Sequence, residues 1–237
     1  MTFNETEKLR GVTSTHSPVV AAFDLDGTLT EGGSVFAWLK AIAGRGTTYR
    51  AAFALAVPLA MGAIRSGYRA DQAKERLFRR LLTGRVESEV VAQSRDFALA
   101  HLAHHGRGAV LARLAWHLNE GHDVVIVSAS PQLYVEVLAE ALGVRAGLGT
   151  RLAIDARGRL SGGYLGKNCR GSEKLRRLRE WMESRDYPGD PVLYAYGNSR
   201  GDRRMLRAAD FPVDVGKLGR CGALRAFPRL SALTADE

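Results

Sequence analysis

Cysteine is scarce in this sequence: its 237 residues include only Cys169 and Cys221, with no CxxC spacing. A disulfide framework requires several paired cysteines, and the common structural zinc sites require closely spaced ligands. Neither kind of stabilisation is indicated. The composition therefore suits a reducing compartment, and we expect a cytoplasmic protein.

The sequence also lacks an apolar run long enough to span a membrane. The most apolar stretch, residues 51–64 (AAFALAVPLAMGAI), is shorter than the roughly 20 residues that a spanning helix needs, and Pro58 interrupts it. Residues 1–17 are polar and have no apolar core of the kind that secretory signals contain. Neither a membrane span nor a secretory signal is therefore predicted.

Arginines flank the apolar stretch on both sides, at positions 45, 50, 65 and 69. This pattern suits a buried helix whose ends are solvated, which is the favoured interpretation. It also suits a segment that lies in an anionic interface, so peripheral contact with the inner membrane face is the alternative.

Aromatic residues are few, at 8% of the chain, although the formal net charge is +9. Such a charge attracts phosphorylated metabolites, anionic lipids and nucleic acid alike. Nucleic-acid binding proteins usually add a recognition motif, and none is apparent here. We therefore expect a phosphorylated small-molecule or lipid partner and no nucleic acid.

Short apolar runs alternate with helical patterns along much of the chain. The predicted strands cover residues 18–25, 122–128, 191–196 and 211–215, and the predicted helices cover residues 109–119, 132–142 and 173–184. This alternation predicts an α/β fold with a Rossmann-like, mostly parallel sheet, in which ligands bind beyond the carboxyl ends of the strands. Residues 145–166 add a weak hairpin signal.

Residues 35–105 differ from the rest, because they are rich in Ala, Leu and Arg with helical periodicity. We interpret them as an α-helical cap inserted after the first strand. The predicted organisation is thus a Rossmann-like core of residues 1–34 and 106–237 and a helical cap of residues 35–105.

Two carboxylates follow the first predicted strand. Asp24 and Asp26 flank one residue, so in extended backbone they point to the same side, where one can attack and the other can transfer a proton. Gly27 and Thr28 then turn the chain and offer backbone N–H groups to a phosphate.

The string Asp24-Leu25-Asp26-Gly27-Thr28 resembles the first motif, DxDGT, of the haloacid dehalogenase superfamily. The resemblance implies that Asp24 is a nucleophile forming an aspartyl-phosphate, and that Asp26 protonates the leaving oxygen and later activates water. Asp26 also argues against carbon–halogen cleavage, since the dehalogenase branch lacks this second aspartate.

Three further motifs follow in the family's order. VVIVSAS resembles the second motif, so that Ser128, Ala129 and Thr28 are expected to contact the substrate phosphate. Ser130, its last residue, and Pro131, which follows it, resemble a helix start, with Ser130 as the N-cap.

The third motif requires a lysine that neutralises charge beside the nucleophile. Lys174, in GSEKLRRL, matches it best, and Lys167 is the competitor.

The fourth motif is matched by YAYGNSRGD, in which Asn198 replaces the usual aspartate. The resemblance implies Mg2+ as the cofactor, with Asp24, Asp26 through its backbone carbonyl, Asp202 and Asn198 as the metal ligands. An amide oxygen is an acceptable ligand for Mg2+ but adds no charge, so the site is expected to bind the metal more weakly than three carboxylates would.

A cap between the first two motifs is similar to subfamily IB, which contains phosphoserine phosphatases and bacterial phosphatidylglycerophosphate phosphatases. The glutamate that holds phosphoserine in the former is replaced here by Gly33. The expected function is therefore a Mg2+-dependent phosphomonoesterase acting on a phosphorylated small metabolite or lipid. The alternative is a non-catalytic lipid- or protein-binding module on the same fold.

Overall fold

A five-stranded parallel sheet forms the centre of the fold, which the computed structural model describes for residues 17–55, 67–216, 224 and 226–230. Its strands are β1 (Val19–Phe23), β2 (Asp123–Pro131), β3 (Ala146–Thr150), β6 (Val192–Gly197) and β7 (Phe211–Asp214). They lie side by side in the order β3-β2-β1-β6-β7. A separate antiparallel pair consists of β4 (Leu152–Ile154) and β5 (Leu160–Tyr164).

Eight described helices lie between these strands in the sequence. Those between β1 and β2 are α1 (Val35–Ala43), α2 (Arg45–Ala54), α3 (Gly67–Leu82), α4 (Glu87–His105) and α5 (Gly108–Asn119). Those that follow are α6 (Gln132–Ala141) after β2, α7 (Ser172–Glu183) after β5 and α8 (Arg203–Ala208) after β6. The predicted α/β fold with a mostly parallel sheet is confirmed.

Strand β1 lies at the middle of the sheet, hydrogen-bonded to β2 on one side and β6 on the other. Its residues from Val20 to Phe23 are fully buried, as expected for a parallel strand covered on both faces. Because β1, β2 and β6 run in the same direction, their carboxyl ends meet at one edge. Asp24, Ser128 and Asn198 stand at that edge.

Alternate residues of β1 face two separate hydrophobic clusters. Ala21 and Phe23 belong to a large cluster that also contains residues of the inserted helices, among them Trp38 and Phe78. Val20 and Ala22 belong to a second cluster on the other face, together with residues of α7 and α8. The helices between β1 and α5 therefore share a core with one face of the sheet.

The predicted strands and helices lie close to the observed ones, but β3 was missed. Only a hairpin was expected in residues 145–166, where the structure has β3 in the parallel sheet as well as the β4–β5 hairpin. A Cβ on Gly147 would lie 2.6 Å from the Val135 carbonyl oxygen, and one on Gly149 would lie 2.6 Å from the Cα of Gln132. These glycines let β3 approach α6 closely, and they also remove the apolar pattern of a strand.

Part of the apolar stretch at residues 51–64 falls in helix α2, which ends at Ala54. Residues 56–66, including Arg65, and the side chain of Arg69 lie outside the described residues. Among the helices that are described, none is long and apolar enough to cross a membrane. The boundaries predicted for the cap, residues 35 and 105, enclose helices α1 to α4 and stay a prediction.

Candidate active site

A tight turn follows β1 and brings two distant parts of the chain together. Gly27 has a φ of 84°, a conformation that side chains disfavour. A Cβ there would also lie 1.9 Å from Nδ2 of Asn198. The backbone N–H of Gly27 donates to the Thr30 carbonyl and that of Thr28 to the Leu25 carbonyl. Both groups are thus engaged within the turn, which differs from the expected phosphate contact.

Asp24 is buried at the end of β1, and both of its carboxylate oxygens accept hydrogen bonds. The Thr28 hydroxyl donates to Oδ2 at 2.9 Å, and Lys174 Nζ donates to Oδ1 at 2.6 Å. Thr28 is fully buried and its hydroxyl orients Asp24, and the predicted contact of Thr28 with the substrate phosphate stays a prediction. The carboxylate is held in one orientation by these two donors.

Lys174 bridges two buried carboxylates. Its Nζ lies 2.6 Å from Asp24 Oδ1 and 2.5 Å from Asp202 Oδ1. Its competitor Lys167 is exposed on the surface. Of the two lysines considered from the sequence, Lys174 is therefore the one that the structure brings to the predicted nucleophile.

The charges at this position are strongly coupled. The pKa of Asp24 is raised to about 7, first by burial and then by the carboxylate of Asp202, against the opposing effect of Lys174. Burial lowers the pKa of Lys174, but the carboxylates of Asp202 and Asp24 outweigh it and the net shift is upward. One ammonium thus serves two carboxylates, and further positive charge beside Asp24 would lower its pKa.

Asp26 is fixed by groups from two other parts of the chain. Its Oδ1 accepts the backbone N–H of Ser34 at 2.6 Å, and its Oδ2 accepts the hydroxyl of Ser130 at 2.5 Å. Ser34 directly precedes α1, and Ser130 lies in the last part of β2. The carboxylate therefore links the start of the helical insertion to the second motif.

The second motif differs from the predicted helix start. Strand β2 continues to Pro131, which is the residue before α6, so Ser130 is not the N-cap. The hydroxyl of Ser130 bonds Asp26 instead of capping the helix. Ser128 is buried, and its Oγ accepts the backbone N–H of Ser130 at 3.0 Å. Ser128 and Ala129 line the same cavity as Asp24 and Asp26.

Asp202 and Asn198 follow β6. The Oδ2 of Asp202 accepts the backbone N–H groups of Asn198 and Ser199 and the hydroxyl of Ser199, at 3.2, 2.9 and 2.7 Å. The carboxylate of Asp202 is thus held by its own loop and by Lys174. Among the described residues, Asn198 Oδ1 is buried and has no hydrogen-bond partner.

The predicted metal ligands are all oxygen donors. In the described part of the chain, no group of three or more histidine, cysteine, aspartate or glutamate side chains is arranged to hold a metal. The predicted set has only two carboxylate ligands, those of Asp24 and Asp202, and its other members are the neutral oxygens of Asn198 and the Asp26 backbone. The buried, unpaired Asn198 Oδ1 and the raised pKa of Asp24 both fit an added hard cation.

Sequence reasoning missed several groups that complete the cavity. Lys74 and Asp71 of α3, and Asn168 and Arg170 of the loop before α7, line it together with Asp24. Lys74 stands in an ordinary amphipathic helix, so nothing in the sequence marked it. Asn168 and Arg170 belong to the segment NCRGSEKL, which is unusual but carries no spacing rule that would assign them a contact.

Comparison with known proteins shows which family this sequence is similar to. The sequence profile of the haloacid dehalogenase-like hydrolases matches residues 21–207. The chain is 36% identical over 196 residues to Protein CicA of Caulobacter vibrioides, with 82% of this chain and 85% of that protein covered.

A second relative and a solved structure extend the comparison. The chain is 30% identical to the "Probable phosphatase Rv3661" of Mycobacterium tuberculosis over 231 residues, covering 93% of this chain and 78% of that protein. The fold of this chain is similar to that of a substrate-bound phosphoserine phosphatase, with a TM-score of 0.62 and 15% identity, and the comparison covers 93% of this chain and 99% of that one.

Proposed function

The chain belongs to the haloacid dehalogenase-like hydrolases, and from this premise we propose that it is a phosphomonoesterase whose nucleophile is Asp24. The observation that carries the proposal is the position of Asp24, buried at the end of the central strand and hydrogen-bonded to Lys174 and Thr28. Similarity to a protein named as a probable phosphatase supports the same activity.

The proposed reaction has two steps. An oxygen of Asp24 attacks the phosphorus of the substrate, the bond from phosphorus to the ester oxygen breaks, and an aspartyl-phosphate forms. Asp26 gives a proton to the departing alkoxide. In the second step Asp26 takes a proton from water, which attacks the phosphorus, and Asp24 and inorganic phosphate are released.

Positive charge and hydrogen-bond donors offset the charge of the phosphoryl group. Lys174 contributes its ammonium beside Asp24, and Ser128 and the backbone of Ala129 are proposed to donate to the phosphoryl oxygens. We propose Mg2+ as the cofactor, held by Asp24, Asp202, Asn198 and the Asp26 carbonyl, where it would supply charge neutralisation.

The cavity lined by Asp24, Lys174, Asp202 and the second motif has a volume of about 260 Å³, and we propose that it takes a phosphorylated small molecule. A phosphorylated lipid at an anionic membrane was the other class suggested by the sequence. That class depended on arginines that flank the apolar stretch. Arg45 and Arg50 are exposed on α2, whereas the side chains of the arginines at positions 65 and 69 lie outside the described residues. Cytoplasmic location is likewise part of the proposal.

Turnover of p-nitrophenyl phosphate, with and without Mg2+, tests the function. We expect release of phosphate that depends on the metal, and loss of that release in the Asp24→Asn variant. No hydrolysis by a folded, Mg2+-supplied protein would favour the alternative, a binding module that has kept the fold.

A further inference from the structure

A second lysine enters the cavity from the inserted helices. Lys74 Nζ, on α3, donates to the carbonyl of Ala129 at 2.8 Å and to Oδ1 of Asn168 at 2.8 Å. Both acceptors are neutral, and no carboxylate of the described residues lies within ion-pair distance of Lys74. Among the described residues, Lys74 is therefore a cation in the cavity that has no carboxylate in direct ion-pair contact.

Burial removes water from the Lys74 ammonium group. The rings of Tyr164 and Phe78 lie 5.8 and 5.9 Å from Nζ, and their weak cation–π attraction offsets only part of this loss. Burial lowers the pKa of Lys74 to about 8, although Asp71 and Asp26 act in the opposite direction. An anion bound beside Lys74 would offset this desolvation, since a charged donor gains most from a charged acceptor.

Asp71, the acidic side chain with the largest electrostatic effect on Lys74, is already engaged by other groups. Asp71 Oδ1 accepts Nδ2 of Asn168 at 2.7 Å and lies 3.9 Å from Nη1 of Arg170. This long ion pair is half-exposed, and pairs of this kind contribute little. Arg170 is thus a second cation that remains available at the rim of the cavity.

Lys74 and Lys174 have different neighbours. Lys174 bonds Asp24 and Asp202, where the phosphoryl group is proposed to react, whereas Lys74 bonds Ala129 and Asn168. Arg170 packs over the loop after β6, because a Cβ on Gly201 would lie 3.1 Å from Arg170 Cγ. The two extra cations therefore border the space next to the phosphoryl site.

We propose that Lys74 and Arg170 form a second anion subsite, which binds an anionic group carried by the leaving group of the substrate. This inference rests on the proposed phosphatase function and narrows its substrate class. The substrate would be a phosphate monoester whose alcohol carries a carboxylate or a second phosphate a few bonds from the ester oxygen.

Three substrates with the same three-carbon chain test the subsite, each assayed with Mg2+. They are propyl phosphate, 3-phosphonooxypropanoate and propane-1,3-diyl bisphosphate. For the wild-type protein we expect a higher kcat/KM for the two substrates that carry a second anionic group, 3-phosphonooxypropanoate and the bisphosphate. Lys74→Gln should lower kcat/KM for these two by about tenfold more than for propyl phosphate, mainly through KM. Arg80→Gln, an exposed change on the same helix, is the charge-matched control and should keep the preference.

The exposed Arg170→Gln variant provides a second test that does not disturb the buried part of the cavity. It should show the same selective loss as Lys74→Gln. Equal losses of Lys74→Gln on all three substrates would mean that Lys74 acts on the transferred phosphoryl group, and this would overturn the subsite. Absence of any preference in the wild-type protein would also overturn it.

Calorimetry separates the subsite from the catalytic proposal. In an Asp24→Asn background, the bisphosphate should bind more tightly than propyl phosphate, and Lys74→Gln should remove most of the difference. If the wild-type protein hydrolyses none of the substrates, the proposed function fails, and the calorimetric comparison alone decides whether the subsite exists. Hydrolysis together with equal binding of both compounds would reject only the subsite.

Discussion

The hydroxyl of Ser130 donates a 2.5 Å hydrogen bond to Oδ2 of Asp26, joining residues that are 104 positions apart. The other oxygen of Asp26 accepts the backbone N–H of Ser34, which directly precedes α1. The proposed acid and base is thereby oriented by β2 and by the start of the helical insertion. Ser130 acts through Asp26 and is a positioning residue.

Ser130→Ala should slow hydrolysis of alkyl phosphates by roughly tenfold while affecting p-nitrophenyl phosphate much less, because an acidic leaving group needs little protonation. Steady-state kinetics with both substrates measures this. In an Asp26→Asn background the same change should cause little further loss, since the group that it orients has been removed. Equal losses on both substrates, or additive losses in the double variant, would contradict the assignment.

Asp24→Asn should abolish turnover while the fold persists. An amide cannot form the acyl-phosphate, but its oxygen can still accept the hydrogen bond of Lys174, and its N–H can donate to the Thr28 hydroxyl, which can turn to accept. Phosphate release and circular dichroism measure the two effects. Asp190→Asn, an exposed change of the same kind, is the control and should behave like the wild type. Wild-type rates in Asp24→Asn would remove Asp24 from its role.

Lys174→Met should abolish activity and lower the free energy of unfolding by about 3 kcal/mol or more, since it leaves two buried carboxylates without their shared cation. Urea unfolding and turnover measure both losses. The matched control is Lys167→Met, because Lys167 is exposed and its bond to Arg177 is made by the backbone carbonyl, which the substitution keeps. Equal effects of the two substitutions would show that burial of Lys174 between Asp24 and Asp202 has no special importance.

Asn198→Asp should strengthen Mg2+ binding by supplying a third carboxylate. We expect the Mg2+ concentration for half-maximal activity to fall by about tenfold, because ligand charge is a main determinant of divalent-cation affinity. A titration with Mg2+ measures it in both proteins. An unchanged midpoint would mean that the buried amide oxygen of Asn198 is not a ligand.

The sequence allowed prediction of features that depend on strand order and residue spacing. Asp24 and Lys174 were predicted as partners because both positions match family motifs, and the structure brings them within 2.6 Å of each other. Lys74 could not be predicted, because its contact with Ala129 depends on how the inserted helix packs over the sheet. Ser130 was misassigned as a helix cap, because local propensity does not reveal a partner 104 residues away.

A buried histidine should make stability depend on pH below neutrality. His117 is fully buried, with Nε2 2.8 Å from the Tyr196 hydroxyl and Nδ1 2.8 Å from His122 Nδ1. Burial, followed by the nearby His122 and Arg113, lowers its pKa to about 3. His117 is therefore neutral in the folded protein at pH values where an unfolded chain would protonate it.

The sign of the effect follows from proton binding. Below the ordinary pKa of 6.5 the unfolded state binds one proton more than the folded state at this residue, so the free energy of unfolding falls as the pH falls from about 6.5 towards 3. Relative to His117→Gln, which can still bond the Tyr196 hydroxyl, the wild-type protein should lose about 1.4 kcal/mol per pH unit in this range. Urea unfolding of both proteins at about pH 7.5, 6.5, 5.5 and 4.5 measures how the difference in their free energies of unfolding changes with pH. His104→Gln, a substitution on the surface, is the matched control and should keep the wild-type slope. If the free energy of unfolding depends on pH in the same way for the wild type and His117→Gln, then His117 is not held neutral.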